Sequence, residues 1–418
     1  MPGMWGAFGA LFGATFIFLT ANGLLGTLLS TRMAMAAFST TTAGMVLSGY
    51  FLGLLCGSLV CHRLIQHVGH IRAFTVFAAM TTAAALLHGL YLSAWSWGLL
   101  RFSSGITSFG LFMVIESWLN ECTERAFRGR VFSIYMTLTY LGTGIGQLML
   151  NIGDIQSNSL FIIAGIFYSL CLVPVSATEG VHPQLPETQP YHFGKIFRKA
   201  PLGMLGCVSA GLTNSAFYAM TPILCTKIGL SLHQLSWIMT ITVFAGLAAQ
   251  WAVGSLSDRF DRTIVLVVIS AAIAGISAVM FFSGTSSFGG MLLQMGLFGA
   301  MGFGVYPVSV ARAHDIFGGR DAVAVSAALL FAYSTGASAS PILVSWVMTW
   351  LGTPLGLFAY WSVINASLAI LTVYLRKREI IDIVPVEEQV AFVPMRSTSP
   401  VATALDPRTE PEVGGANP

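Results

Sequence analysis

Of the twenty Lys and Arg side chains in this 418-residue chain, only Arg32 and Lys227 fall in the polar gaps on one side of a series of apolar stretches. Arg101 lies inside a stretch, and the other seventeen fall on the opposite side. Basic loops stay in the cytoplasm, so this split orients every stretch together and predicts both termini inside. Only 9% of the residues are charged and 55% are hydrophobic, whereas a soluble domain carries about 25% charge. The mean hydropathy of +0.77 points the same way. Long uninterrupted apolar runs satisfy their backbone in lipid as helices, because barrel strands would alternate. The chain is therefore expected to be an all-α membrane protein.

Apolar runs between turn signals predict twelve transmembrane helices, near 5–30, 42–62, 73–92, 96–119, 130–152, 158–177, 201–226, 234–256, 264–283, 288–313, 322–348 and 355–375. The first run is too long for a secretory leader and lacks a basic start, so it is expected to be retained. This gives a six-helix bundle over 1–177, a cytoplasmic linker over 178–200, a second six-helix bundle over 201–376, and a disordered cytoplasmic tail over 377–418. Glycines and aromatics recur between the halves at an offset of 194: Gly105 with Gly299, Phe109 with Phe303, Gly110 with Gly304 and Gly142 with Gly336. Phe51 and Gly53 match Phe244 and Gly246 at 193, and Asn22 matches Asn214 at 192. A duplicated six-helix unit with a pseudo-twofold axis places a substrate site between the halves near the midplane, where rocking of one half gives alternating access.

The strongest local motif is Gly254-Ser-Leu-Ser-Asp258-Arg259-Phe-Asp261-Arg262, which resembles the G-x-x-x-D-R-x-G-R loop of the major facilitator superfamily. The corresponding first-half loop keeps Gly69 and Arg72 but has Gln66 where that family usually has Asp. Arg101-Phe-Ser-Ser-Gly105 resembles the superfamily's R-x-x-x-G signature. Gly142-x-x-x-Gly146-Gln147 follows the antiporter G-x-x-x-G-P pattern only in part, and its repeat partner Gly336-x-x-x-Ser340-Pro341 carries the proline. With Glu116-Ser117, Arg128-Gly129-Arg130 and Tyr140-Leu-Gly142, the layout from about 5 to 376 resembles the YcaD-like bacterial transporters. The resemblance implies the major facilitator fold and transport across the bacterial inner membrane.

Several residues are candidates for carrying the work. By the resemblance, Asp258 docks on the amino end of the fifth helix at Gly129-Arg130; with Arg259, Arg262, Gly254, Gly69 and Arg72 it would latch the cytoplasmic side shut. A carboxylate at a helix amino end gains about 0.3 to 1 kcal/mol, small enough to break in each cycle. Arg101 and Glu116 are ionisable residues inside the fourth helix, about 22 Å apart in height. Such residues tend to face a wet interior. Burial can tune a Glu into a proton carrier, so Glu116 is the expected proton-coupling site with Arg101 beside the same pathway. The repeat offset places Glu116 opposite Val310 and within a turn of Arg312, which predicts a Glu116 to Arg312 gate. Asn22, Asn214, Gln147, Tyr218 and Tyr306 offer neutral hydrogen bonding to a substrate, with interhelical packing as their alternative role.

The expected activity is secondary active transport of a small molecule by alternating access, as proton-coupled efflux. Proton-coupled uptake, or a non-transporting sensor built on the same fold, are the alternatives. The partners are the substrate, protons and membrane lipids. The net charge of +3 is spread over loops and implies no nucleic acid. No nucleophile with a nearby base marks an enzyme. Cys56, Cys61, Cys122, Cys171, Cys207 and Cys225 lack CxxC spacing and predict no disulfide, metal or cofactor. The chain is taken to act as a monomer.

Overall fold

Helices begin where the sequence supplies a side-chain acceptor for their first free amides. In this computed structural model, Ser39 accepts from the Thr42 amide at 3.0 Å, Asp261 from the Thr263 amide at 2.8 Å, and Ser231 forms a reciprocal capping box with Gln234. The structure describes residues 2–124, 127–176, 193–284, 287–317, 322–377, 384–390, 392–399 and 401–402. In chain order the helices are α1 (Pro2–Met35), α2 (Thr40–Val68), α3 (His70–Leu90), α4 (Ala94–Cys122), α5 (Arg128–Leu148), α6 (Ser159–Leu170) and α7 (Leu172–Ser176). Then come α8 (Phe193–Lys199), α9 (Pro201–Lys227), α10 (Leu232–Arg259), α11 (Arg262–Ser283), α12 (Phe288–Gly302), α13 (Val305–Phe317), α14 (Ala322–Trp350) and α15 (Gly356–Lys377). No strand occurs among the described residues.

Ten helical segments among the described residues are long and apolar enough to cross a membrane, with α6–α7 and α12–α13 each counted as one. Helices α5 and α9 bring the passes to twelve. Their lower hydropathy has a physical reason: α9 is buried through most of its length from Leu202 to Cys225 and presents little surface to lipid. Between α2 and α3 the chain turns on a single residue, Gly69, at φ 84°. An L side chain rarely adopts that conformation, so the glycine expected to serve a gate has at least this turn to make.

The repeat in sequence is a repeat in packing. A Cβ at Gly105 would collide with the Tyr50 carbonyl of α2, and one at its mate Gly299 with the Thr242 carbonyl of α10. A Cβ at Gly142 would lie 2.8 Å from the Phe16 carbonyl of α1, and one at Gly336 would collide with the Val208 carbonyl of α9. Where the first repeat has Gly146, the second has Ser340, whose hydroxyl donates to the Leu212 carbonyl at 2.5 Å. Small residues here let backbones touch. Gly105→Ala is accordingly expected to cost about 3 kcal/mol, the upper end for overpacking, because the obstructing atom is backbone. Thermal unfolding in detergent measures it, and Gly275→Ala, which meets nothing within 4 Å, is the matched control and should leave the melting temperature unchanged or higher.

The halves touch on the face away from the basic loops. Asn151 donates to Ser236 at 2.7 Å, Thr240 to the Gly144 carbonyl at 3.1 Å, and Lys227 reaches Thr40. Gly44 of α2 backs onto Pro341 and Ser345 of α14. On the basic face, bonds to both halves come from the tail. The sequence leads us to expect disorder from Lys377 onward, yet residues 384–390 lie along the basic face, with 385–388 exposed, and residues 392–399 and 401–402 run into the body between the halves. Val393, Met395, Val401 and Ala402 are buried there. Apolar burial and carboxylate acceptors for its amides offset the entropy that the tail's composition would otherwise keep. The remainder of the expected linker and tail, 178–192, 378–383, 391, 400 and 403–418, lies outside the described residues.

Candidate functional site

A cavity lies between the halves, walled by α1, α2, α4, α5, α9 and α14 and floored by the tail residues Arg396, Ser397 and Thr398. Three of the five expected substrate residues line it: Asn22, Gln147 and Tyr218. Asn22 accepts from Tyr168 at 3.4 Å and donates to Tyr50 at 3.2 Å. Gln147 accepts from Thr27. The other two sit beside the lining: Asn214 is buried, and Tyr306 packs edge-on against the lining Tyr333, with ring centroids 5.1 Å apart.

Arg101 enters the cavity from α4, 5% exposed, with its guanidinium carbon 4.3 Å from the centre of the Tyr50 ring. Ion pairs among the described residues do not include it. Its charge is met by a ring face, an arrangement worth more once water is excluded.

Glu116, near the basic end of α4, is fully buried. Its carboxylate accepts from Tyr135 of α5 at 2.7 Å and from Ser399 of the tail. The expected partner Arg312 is also buried, on α13, and no Glu116 to Arg312 ion pair occurs in this conformation. The halves are closed on the opposite face, and the tail holds the Glu116 carboxylate instead.

The expected latch is likewise engaged elsewhere. Asp258 accepts from Arg262 at 3.1 Å and from the Phe392 amide at 2.8 Å, so a tail amide occupies the carboxylate that was expected at the amino end of α5. Arg262 is a buried hub: it donates to Asp315, Ser257 and the Ala311 and Val390 carbonyls. Gly254 leaves room for the Phe392 ring. Arg72, Arg130 and Arg259 are exposed at the basic face.

Sequence reasoning passed over several residues here. Gln250 of α10 donates to Tyr140 at 3.3 Å and to the Phe303 carbonyl at 3.2 Å, beside the break between α12 and α13. A helix break inside a membrane needs such a partner. A Gln within an apolar run was the available signal. Asp315, three residues after Arg312, was another. Arg396 gave none, since nothing in a polar tail marks which residue folds back.

Two six-helix halves around a central cavity lined by both apolar and polar side chains are the architecture of a secondary carrier. The comparisons agree, and the chain belongs to the Major Facilitator Superfamily, whose family model matches residues 11–231 and 202–405. An MFS-type transporter of Yersinia pestis (strain Pestoides F) is 30% identical over 337 residues, covering 79% of this chain and 86% of that protein. The MFS-type transporter YcaD of Salmonella newport is 30% identical over 336 residues, covering 78% and 85%. Among solved structures, the nucleoside transporter NupG superposes with a TM-score of 0.69 at 13% identity, covering 89% of this chain and 99% of that one. The E. coli fucose:proton symporter FucP gives 0.57 at 13%, covering 88% and 98%. These last two likenesses are likenesses of fold. The chain is a multi-pass membrane protein of a transporter family.

Proposed function

We propose that this protein expels a small molecule across the bacterial inner membrane in exchange for protons. The observation that carries the reading is Glu116: a fully buried carboxylate in a spanning helix, hydrogen-bonded by Tyr135 and by Ser399 of the tail, with no ion-pair partner among the described residues. A carboxylate held by neutral hydroxyls can take up and release a proton without breaking a fixed ion pair. Arg101, at the other end of α4, adds a positive charge along the same path.

The basic face and both termini lie in the cytoplasm on this reading, and the chain acts as a monomer surrounded by lipid. The conformation described here is then closed outward. In the alternate state the tail has withdrawn, Asp258 docks at Gly129-Arg130 on α5, and Glu116 meets Arg312 until a proton separates them. Gly254, Arg259, Arg262, Gly69 and Arg72 belong to the loops that make this closure. The cavity's neutral groups, Asn22, Gln147, Tyr218 and, beside it, Asn214 and Tyr306, contact the substrate.

The test is a thermal-shift series over pH with wild type and Glu116→Gln against a panel of metabolites and amphiphilic amines. A ligand that stabilises wild type in a pH-dependent manner should stabilise the variant equally at every pH. The same pH dependence in both proteins would remove Glu116 from the mechanism.

A further inference from the structure

The segment that fills the cytoplasmic half of the cavity carries one charge, and the protein meets that charge in a specific way. The Arg396 guanidinium donates through Nη1 to the Thr139 carbonyl at 2.9 Å and to the Thr143 hydroxyl at 3.1 Å. Through Nη2 it donates to the Tyr218 hydroxyl at 3.3 Å. Its carbon lies 4.7 Å from the centre of the Tyr140 ring. No carboxylate among the described residues forms an ion pair with it. A partly buried cation without a counter-ion is costly unless its donors are met, and this cradle meets three of its N–H donors with a carbonyl and two hydroxyls and its face with a ring.

The cradle belongs to both halves, with Thr139, Tyr140 and Thr143 on α5 and Tyr218 on α9. Before Arg396 the tail is tied through Val390, whose carbonyl accepts from Arg262 and whose amide donates to Asp315 at 3.0 Å, and through the Phe392 amide to Asp258; after it, through the Ser399 hydroxyl to Glu116. Of these partners, Arg262, Asp258 and Glu116 have a role in the transport cycle proposed above. A segment held this way lies between the cavity and the basic face, with Arg396, Ser397 and Thr398 in the cavity lining.

We propose that the cradle of Tyr140, Tyr218, Thr139 and Thr143 is the binding site for a small organic monocation, a guanidinium or an amine, and that Arg396 is an internal ligand competing for it. The proposal rests on the cavity being the transport site. A guanidinium stays charged at any physiological pH, so the internal ligand is present whatever the proton gradient. Binding of cargo then requires the tail to leave, which frees Glu116 from Ser399 at the moment a cation arrives. Cargo thus unlocks the carboxylate that protons use.

The experiment uses the full chain in detergent with benzylguanidine as probe, and benzoate and benzyl alcohol as size-matched anionic and neutral controls. Affinity is read by calorimetry for wild type, Arg396→Gln, and Arg396→Gln combined with Tyr140→Leu. A tail seated nine-tenths of the time weakens its competitor about tenfold, so Arg396→Gln is expected to bind benzylguanidine about tenfold more tightly. The added Tyr140→Leu should reverse that gain. Trypsin supplies the second readout: peptides ending at Arg396 should be scarce in the free protein and should accumulate once benzylguanidine is added. Equal affinity of wild type and Arg396→Gln, benzoate binding as tightly as benzylguanidine, or rapid cleavage at Arg396 without ligand would each overturn the proposal. Cation binding that persists in a protein showing no response to a proton gradient would leave this site standing and refute proton coupling alone.

Discussion

Replacing Glu116 with Gln is expected to abolish substrate accumulation driven by a pH gradient while leaving substrate exchange across the membrane intact. A pH step of two units supplies about 2.7 kcal/mol per proton. At one proton per substrate this supports about a 100-fold concentration ratio. Wild type in proteoliposomes should approach that ratio, and the variant should stop near equality. Gln preserves the shape of the side chain and can still bond to Tyr135 and Ser399, so the fold is not at risk. Exchange of labelled for unlabelled substrate needs no proton and should run at a comparable rate. Flux assays in the two modes separate a coupling residue from a binding residue: loss of both modes would mean that Glu116 holds cargo and does not carry protons.

The largest loss of stability should come from Arg262→Met. The guanidinium is fully buried and pairs with Asp315, whose side chain is equally buried, while also bonding to Asp258, Ser257 and two carbonyls. Removing it leaves the Asp315 carboxylate without its ion-pair partner, bonded only to the Val390 amide at 3.0 Å among the described hydrogen bonds, a defect that costs about 3 to 5 kcal/mol in buried pairs. Denaturation monitored in detergent should show that loss. Adding Asp315→Asn to Arg262→Met should restore part of it, because the stranded charge is then gone while the remaining bonds of Arg262 are still missing. If the double variant is no more stable than the single one, Arg262 stabilises through its carbonyl and tail contacts and the ion pair contributes little.

The scaffold was legible because its causes are local or repeated. Apolar length gave the helices, Lys and Arg placement gave an expected orientation, and the offset of 194 found glycines that the structure packs against equivalent backbones. Gly105 and Gly299 show why such a signal survives: a Cβ at either position would strike a carbonyl of the neighbouring helix. The site was legible only in part. Asn22, Gln147 and Tyr218 could be placed because polar groups inside apolar helices need a wet or bonded destination. Tyr140 was visible as part of a motif but not as a ring beneath a cation, since that depends on Arg396, 256 positions away in sequence.

The tail was misread for a related reason. Composition judges a segment by what it can bury against itself, and a sequence of prolines, glutamates and threonines buries little. Residues 392–399 instead find apolar contact, carboxylates and aromatic faces already assembled by two helical bundles. Asp258 illustrates the consequence. The motif marked Asp258 as an acceptor for free amides at the fifth helix, and in the structure it accepts from the amide of Phe392 instead.

Proton-coupled export is tested most directly by the sign of the gradient that drives uptake into proteoliposomes. Antiport predicts that benzylguanidine, or any ligand found by thermal shift, accumulates when the lumen is acidic relative to the bath, whichever way the protein is inserted. Collapse of the gradient with a protonophore should return the ligand to equality. Accumulation driven by an acidic bath would establish uptake by symport, and flux indifferent to either gradient would contradict proton coupling altogether.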